Sequence, residues 1–202
     1  MISQTLIIVL ITAAVSIPAF SNQKIMNDLI MYPPAINRGQ VYRLLTSGFI
    51  HADVPHLIFN MLTLFFFGNA MERYFGQFGS WVFMLVYLAA IIISSLPSYI
   101  KNKNNTYYSS LGASGGVSAI LFAFIFLQPW ATLSIWFIPC PAIIFAVIYI
   151  IYSGYMSKRG GDNINHEAHI YGALVGIIAV LLLDQNSIPR FMQEITNPRF
   201  NF

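Results

Sequence analysis

Four histidines and one serine are the residues of this chain that could do chemistry. His51, His56, His166 and His169 all lie at or just before apparent helix starts, and Ser114 sits in SSLGASGGVSAI, where a polar loop becomes an apolar helix. Gly112 before the serine, and Gly115 and Gly116 after it, permit a tight turn and close backbone approach. A serine so placed has a helix N-terminus beneath it, whose free N–H groups and positive dipole end stabilise a developing oxyanion. In GFIHADVPHLIFNM, His56 and Asn60 are four apart and share one helix face, both able to donate toward a common point as half of an oxyanion hole does. In NHEAHIYGALVG, the spacing puts His169, Gly172 and Gly176 on one face, which allows very close helix contact. If that face meets the glycine-lined helix of Ser114, His169 comes within reach to act as the serine's general base. Taken singly, each motif has a plainer reading as interhelical polar glue or a packing device. Their joint occurrence favours a serine–histidine dyad.

The elements that must position these residues follow from composition. Of 202 residues, 57% are hydrophobic, 15% aromatic and only 8% charged, against about a quarter charged in a soluble domain. That balance excludes a water-soluble globule. Ten Lys and Arg against seven Asp and Glu give a formal charge of +3, clustered in a few stretches, among them 25–56 and 158–169, rather than along a face, as a nucleic-acid binder would need. Residues 1–23, 57–71, 74–100, 104–157 and 170–183 hold no Asp, Glu, Lys or Arg. A hydrocarbon core about 30 Å thick takes roughly 20 residues per helix, so the blocks divide into spans at about 4–21, 56–71, 78–98, 113–128, 133–154 and 168–184. The expectation is an all-α, polytopic bundle of six transmembrane helices forming one membrane domain over 1–202. The second and sixth spans look short and carry polar His56, Asn60 and His169 near their starts, which are costly places in lipid unless functional.

Residues 1–21 could instead be a secretory signal peptide ending near Ala19-Phe20-Ser21, but Met-Ile-Ser-Gln lacks the basic flank, which favours a first transmembrane helix. A loop from Asn22 to Pro55 follows, with no sign of a soluble domain and no internal repeat. The single cysteine, Cys140 in a Pro-Cys-Pro context, excludes an internal disulfide and a cysteine-only metal site and reads as packing.

The chain resembles the rhomboid family of intramembrane serine proteases, through H-x-x-x-x-H-x-x-x-N in the second helix, G-x-S-G in the fourth and A-H-x-x-G in the sixth. The likeness extends to Tyr42-Arg43 in the first loop, similar to the family's Trp-Arg, and to Glu72-Arg73 after the second helix. It implies Ser114 as nucleophile, His169 as base and later acid, and His56 and Asn60 as oxyanion donors with the Ser114 backbone N–H, beside Gly112. His51, Arg43, Glu72, Gly172 and Gly176 would be structural supports. No metal or cofactor is implied. Asp184 lies fifteen residues past His169, about 22 Å along a helix, and so cannot orient the imidazole; Glu167 should point elsewhere.

Two features depart from the family pattern. Ser118 stands where many members carry an aromatic residue that stacks on the catalytic histidine, so something else must hold that ring. With the family's N-inside arrangement, Lys24, Arg38, Arg43, Lys101, Lys103, Lys158 and Arg159 fall outside and only Arg73, Arg190 and Arg199 inside, against the positive-inside expectation. The family arrangement is preferred because all three motif ends then share the outer side of the cell membrane. The resulting expectation is an endopeptidase that cuts single-span membrane proteins near the outer face, in contact with membrane lipid, with substrate admitted past the second and fifth helices and gate lining over about Phe137 to Tyr152. A non-catalytic, rhomboid-like binder of transmembrane helices is the alternative. A haem or ion-handling protein is a third reading, disfavoured because His56 pairs with Asn60 rather than with another histidine.

Overall fold

The computed structural model describes residues 3–135, 138–161 and 164–198. Helix α1 (Gln4–Ala19) leads into a loop built of three short helices, α2 (Gln23–Leu29), α3 (Pro33–Asn37) and α4 (Arg43–Thr46), and a single 3₁₀ turn over Ser47–Phe49. The longer helices α5 (Val54–Gly76), α6 (Val82–Lys101) and α7 (Ser114–Leu127) follow. An antiparallel hairpin of β1 (Thr132–Ile135) and β2 (Ile138–Pro141) then precedes α8 (Ala142–Arg159), α9 (His166–Leu183) and α10 (Ser187–Thr196).

Helix α7 is the centre. Ten of its fourteen residues are buried, as expected of a helix apolar on every side, and α5, α6, α8 and α9 all pack on it. Small residues make those contacts backbone to backbone. A Cβ added at Gly172 would overlap the Gly115 carbonyl, and one at Gly176 would overlap the Ala119 carbonyl. On the α6 side, a Cβ at Gly116 would stand 2.8 Å from the ring of Tyr87, which is fully buried. Large residues fill the space away from these crossings, with Leu64, Phe75, Phe83 and Ile120 in the same cluster.

Helix α1 lies antiparallel to α5 and is tied to it at its start. Thr5, Ile8, Thr12, Ser16 and Ala19, spaced three or four apart, form its buried face. At its start, the Glu72 carboxylate accepts from Ser3 Oγ (2.6 Å), the Gln4 N–H (2.8 Å), the Thr5 N–H (2.9 Å) and Thr5 Oγ1 (2.8 Å). An anion from α5 therefore caps the N-terminus of α1, where free N–H groups and the helix dipole favour negative charge. Residues 4–19 thus form a helix packed on α5.

Three expectations need correction. The fold is not purely α-helical: residues 132–135 and 138–141 pair as antiparallel strands, so the fifth long helix starts at Ala142 rather than 133. Pro139 and Pro141 lack the N–H a helix interior requires, while each strand of a two-stranded ladder is an edge and tolerates them. Glu72 and Arg73 lie within α5 rather than after it, because the helix carries on through Gly68, which packs against Thr5 of α1, as far as Gly76. Beyond the expected spans stand the first-loop helices and amphipathic α10, whose Phe191 stacks on Phe126 of α7 (centroids 4.6 Å) and whose Glu194 carbonyl accepts from Trp130 Nε1 (2.9 Å). Phe137 and Arg199 lie outside the described residues. Among those described, α5, α6 and α9 are long and apolar enough to cross a membrane, whereas α1 and α7 are apolar but shorter.

Removing the carboxylate in Glu72→Ala leaves the first turn of α1 without its acceptor. The loss expected is about 0.5–2 kcal/mol, as for other helix caps, read as a lower thermal midpoint in detergent, with Glu72→Gln losing less because an amide oxygen remains. Gly176→Leu, which drives a side chain into the Ala119 carbonyl, should abolish the folded monomer on size-exclusion chromatography.

Candidate active site

All the sequence-selected site residues except Glu72 and Gly176 gather at one end of the bundle. Ser114 is the first residue of α7, half-buried, with Ala113 at the cap. Asn165 caps α9 through its Oδ1, which accepts the Ala168 N–H at 3.0 Å, and His169 follows within the first turn. Because Gly172 abuts Gly115, the first turn of α9 lies directly against the first turn of α7. Ser114 and Ala168 line the same small polar cavity, with Ser94, Ser95, Ser110 and Asn165. Its volume, about 10 Å³, is that of roughly one water molecule.

Four hydrogen bonds to the first loop pin the segment that presents Ser114. Ser110 pairs with Met31 through both backbone groups (3.0 Å each), the Gly112 N–H donates to the Ser47 carbonyl (2.9 Å), and the Ala113 N–H donates to His51 Nε2 (3.3 Å). Asn165 Nδ2 adds a bond to Ser110 Oγ (3.1 Å), so α9 grips the same segment. Gly112 has φ +114°, a conformation L side chains rarely adopt, and a Cβ there would stand 2.7 Å from the His56 imidazole. The glycine is needed for both reasons.

His51 is wholly buried in this arrangement. Since Nε2 accepts from Ala113, the proton is assigned to Nδ1, which donates to Ser16 Oγ (2.9 Å); that hydroxyl donates onward to the Phe49 carbonyl (2.9 Å). Every member of the chain is satisfied only while the ring is neutral, because an imidazolium has no acceptor for Ala113. Burial first, and the neighbouring His56 second, accordingly hold the His51 pKa at about 3 against an ordinary 6.5.

His56 lies edge-on to His51 (centroids 4.9 Å) and over Gly112, two residues before Ser114. Its helix start is fixed by Asp53, which accepts the His56 N–H at 2.7 Å. Asn60, buried one turn on, donates one amide proton to the His56 carbonyl (3.0 Å), and its amide has a second proton to offer. Arg43 is buried and donates to the Asn27 (2.6 Å) and Ile30 (2.9 Å) carbonyls and to Gln40 (2.7 Å), closing the C-terminal end of α2 with a cation.

Asp184 and Glu167 have partners of their own. Asp184 accepts from Tyr74 (3.0 Å) and pairs with Arg190 (3.3 Å) at the far end of α9, while Glu167 pairs with Lys101 (2.5 Å) and accepts from Ser98 (3.3 Å). The His169 ring lies against Tyr149 of α8, with centroids 5.8 Å apart and planes 25° from parallel. Sequence reading missed Tyr149. A signal was present: Tyr149 and Tyr152 are three apart on one helix, as are His166 and His169 on the next.

His51 gives this end of the bundle a pH dependence of definite sign. The unfolded ring takes a proton below 6.5 and the native ring only near 3, so its contribution to stability is complete above 6.5 and is lost as the pH falls toward 3. His51→Gln, which presents a non-titrating amide oxygen to Ala113, should flatten that fall; melts of both proteins between pH 7 and 4 measure the difference.

Comparisons with known proteins agree with the motifs. A family model described as the rhomboid domain matches residues 38–186. The chain is 35% identical over 175 residues to the Arabidopsis thaliana RHOMBOID-like protein 12, mitochondrial, covering 79% of this chain and 52% of that one. To the Rhomboid protease GluP of Bacillus subtilis (strain 168) it is 34% identical over 148 residues, covering 73% and 27%. To the Arabidopsis thaliana Rhomboid-like protein 11, chloroplastic, it is 31% identical over 157 residues, covering 71% and 53%. The chain thus spans about half or less of these relatives' lengths. With its apolar helices, and with that family model matching most of its length, this membrane protein belongs to the rhomboid family.

Proposed function

We propose that the protein is an intramembrane serine endopeptidase acting through Ser114 and His169. The observation that carries this reading is the backbone contact of Gly115 with Gly172, which sets the turn bearing Ser114 against the turn bearing His169. His169 takes the Ser114 proton as the hydroxyl attacks a peptide carbonyl, then returns it to the leaving amine, and water hydrolyses the acyl-enzyme. Oxyanion charge falls to the Ser114 N–H at the start of α7, helped by the side chains of His56 and Asn60. A dyad suits a membrane interior because no carboxylate need be buried beside the base. The water-sized polar cavity flanking Ser114 gives the hydrolytic water a place to wait.

The whole chain acts as a single membrane domain in this reading, with α1, α5, α6, α7, α8 and α9 as its six spans. The site end faces the extracytoplasmic side of the cell membrane, and single-span membrane proteins are the substrates. At about 21 Å, the fourteen residues of α7 are shorter than the hydrocarbon, in keeping with Ser114 lying below the membrane surface. A substrate helix must unwind to present an extended backbone there, so segments with helix-weak residues at the cut are preferred. Substrate enters past α8 or α5, and no metal or cofactor takes part.

Cleavage of a transmembrane reporter by purified protein in detergent tests the proposal. Ser114→Ala and His169→Ala should each abolish product, and a fluorophosphonate should label wild type but not Ser114→Ala. Wild type that cuts no reporter and takes no label would favour the rival reading, a rhomboid-like binder of transmembrane helices. Oxyanion donors removed in His56→Ala or Asn60→Ala should lower kcat by about 10²-fold each, as a progress-curve comparison would measure.

A further inference from the structure

Toward the far end of α7 from Ser114 lies a groove of about 330 Å³, bounded by α7, α8, α9 and α10. Phe122, Ile125 and Ala146 form a buried floor, Phe191 of α10 lines one side, and Val147 and Ile151 form a rim that is more than half exposed. Every residue lining the groove is Phe, Ile, Val or Ala. A buried water needs about two to four polar partners, so this lining suits hydrocarbon, which gains by leaving water. The volume is within the rough 300–1,000 Å³ range of small-ligand sites. It is too small for a helix, since a single turn about 10 Å across and about 5.4 Å high takes about 400 Å³. An unbranched flexible chain can thread it.

The rim continues into apolar surface. Ile144 and Ile148 are exposed beside it on α8, and α10 turns Ile188 and Met192 outward while Phe191 stacks inward on Phe126. Trp130 donates to the Glu194 carbonyl of the same helix. A short amphipathic helix with a tryptophan against it suits the boundary between headgroups and acyl chains, so the groove opens at the depth where a lipid chain begins. We propose that the groove is a lipid site, holding one acyl chain of a membrane phospholipid whose headgroup stays outside at the level of α10. Phospholipid is the source because the bilayer presents its chains at the highest concentration, and occupancy follows concentration. The chain also gives α8 a neighbour. Only Ala142, Ala146 and Ser153 of that helix's eighteen residues are buried, and a chain lodged against Ala146 adds contact where the helix has least.

Phosphatidylcholine carrying a diazirine on one acyl chain, irradiated with the purified protein in detergent, tests the proposal. Mass mapping should concentrate the adducts on residues 122–126 and 143–151 and on Phe191. Ala146→Phe fills the floor, and Val147→Trp fills the mouth from a rim with room for it. Each should lower those adducts about tenfold, equivalent to about 1.4 kcal/mol of affinity, whereas Leu182→Phe, on an exposed part of α9 outside the groove, leaves them unchanged. Added lipid should raise the thermal midpoint of wild type and Leu182→Phe but not of Val147→Trp. Should Ala146→Phe not fold, Val147→Trp carries the comparison alone. The site stands apart from the proposed dyad, so Ser114→Ala should be labelled as wild type is. Adducts spread over all the apolar helices in proportion to exposure, and indifferent to both fillings, overturn the proposal, because they report bulk solvation by lipid. Stronger labelling by the free diazirine fatty acid overturns it too. So does a native mass spectrum showing, in place of a lipid-bound monomer, a dimer that Val147→Trp dissociates, which would give the groove to a second copy.

Discussion

The contact on which the rest of the structure depends is the meeting of α7 and α9 without side chains between them. At Gly115–Gly172 and Ala119–Gly176, backbone touches backbone so closely that a single added methyl would overlap a carbonyl. In lipid, apolar burial gives helices little reason to associate, so close packing and interhelical polar contacts must supply the attraction. Two consecutive crossings of this kind fix both the separation and the rotation of the helices. Ser114 and His169 sit at the start of that seam, so their relative placement is inherited from this packing.

A second constraint keeps the seam useful. Ser114 opens a helix, and the segment before it would be free to move if nothing held residues 110–113. The first loop supplies the hold through Met31, Ser47 and His51, each engaging a backbone group of that segment. The loop is in turn fixed by Arg43, which ties α4 to the end of α2, and by the Ser16–His51 contact, which ties it to α1. Glu72 closes the circuit at the opposite end by anchoring the start of α1 to α5. Polar residues remote from the site thus act on it through rigid elements, and the buried neutral imidazole of His51 is the link most exposed to a change of pH.

Much of this was legible in the sequence because membrane helices write themselves in composition and glycine spacing. Charge-free blocks located α1, α5, α6, α7 and α9 to within a few residues, and the three-and-four spacing of His169, Gly172 and Gly176 announced a face for close contact. His56 lies against Gly112, with Asn60 one turn on along the same helix. The hairpin at 132–141 was not legible, because its strands lie within an uninterrupted apolar run and only the two prolines hint at a break. Nor was the role of Glu72 legible. A carboxylate near the end of one helix does not say which other helix it caps.

Residue types and their spacing decided that this is a helical membrane protein, that its motifs resemble those of the rhomboid family, and which side chains could do chemistry. Period and composition are local properties, and local properties survive in one dimension. What only the tertiary structure decided is how those side chains are held. Tyr149 against His169, His51 beneath Ala113 and Glu72 at α1 are pairings between elements far apart in the chain. Such pairings depend on the rotation and depth at which helices pack, which the pattern along any one helix leaves open.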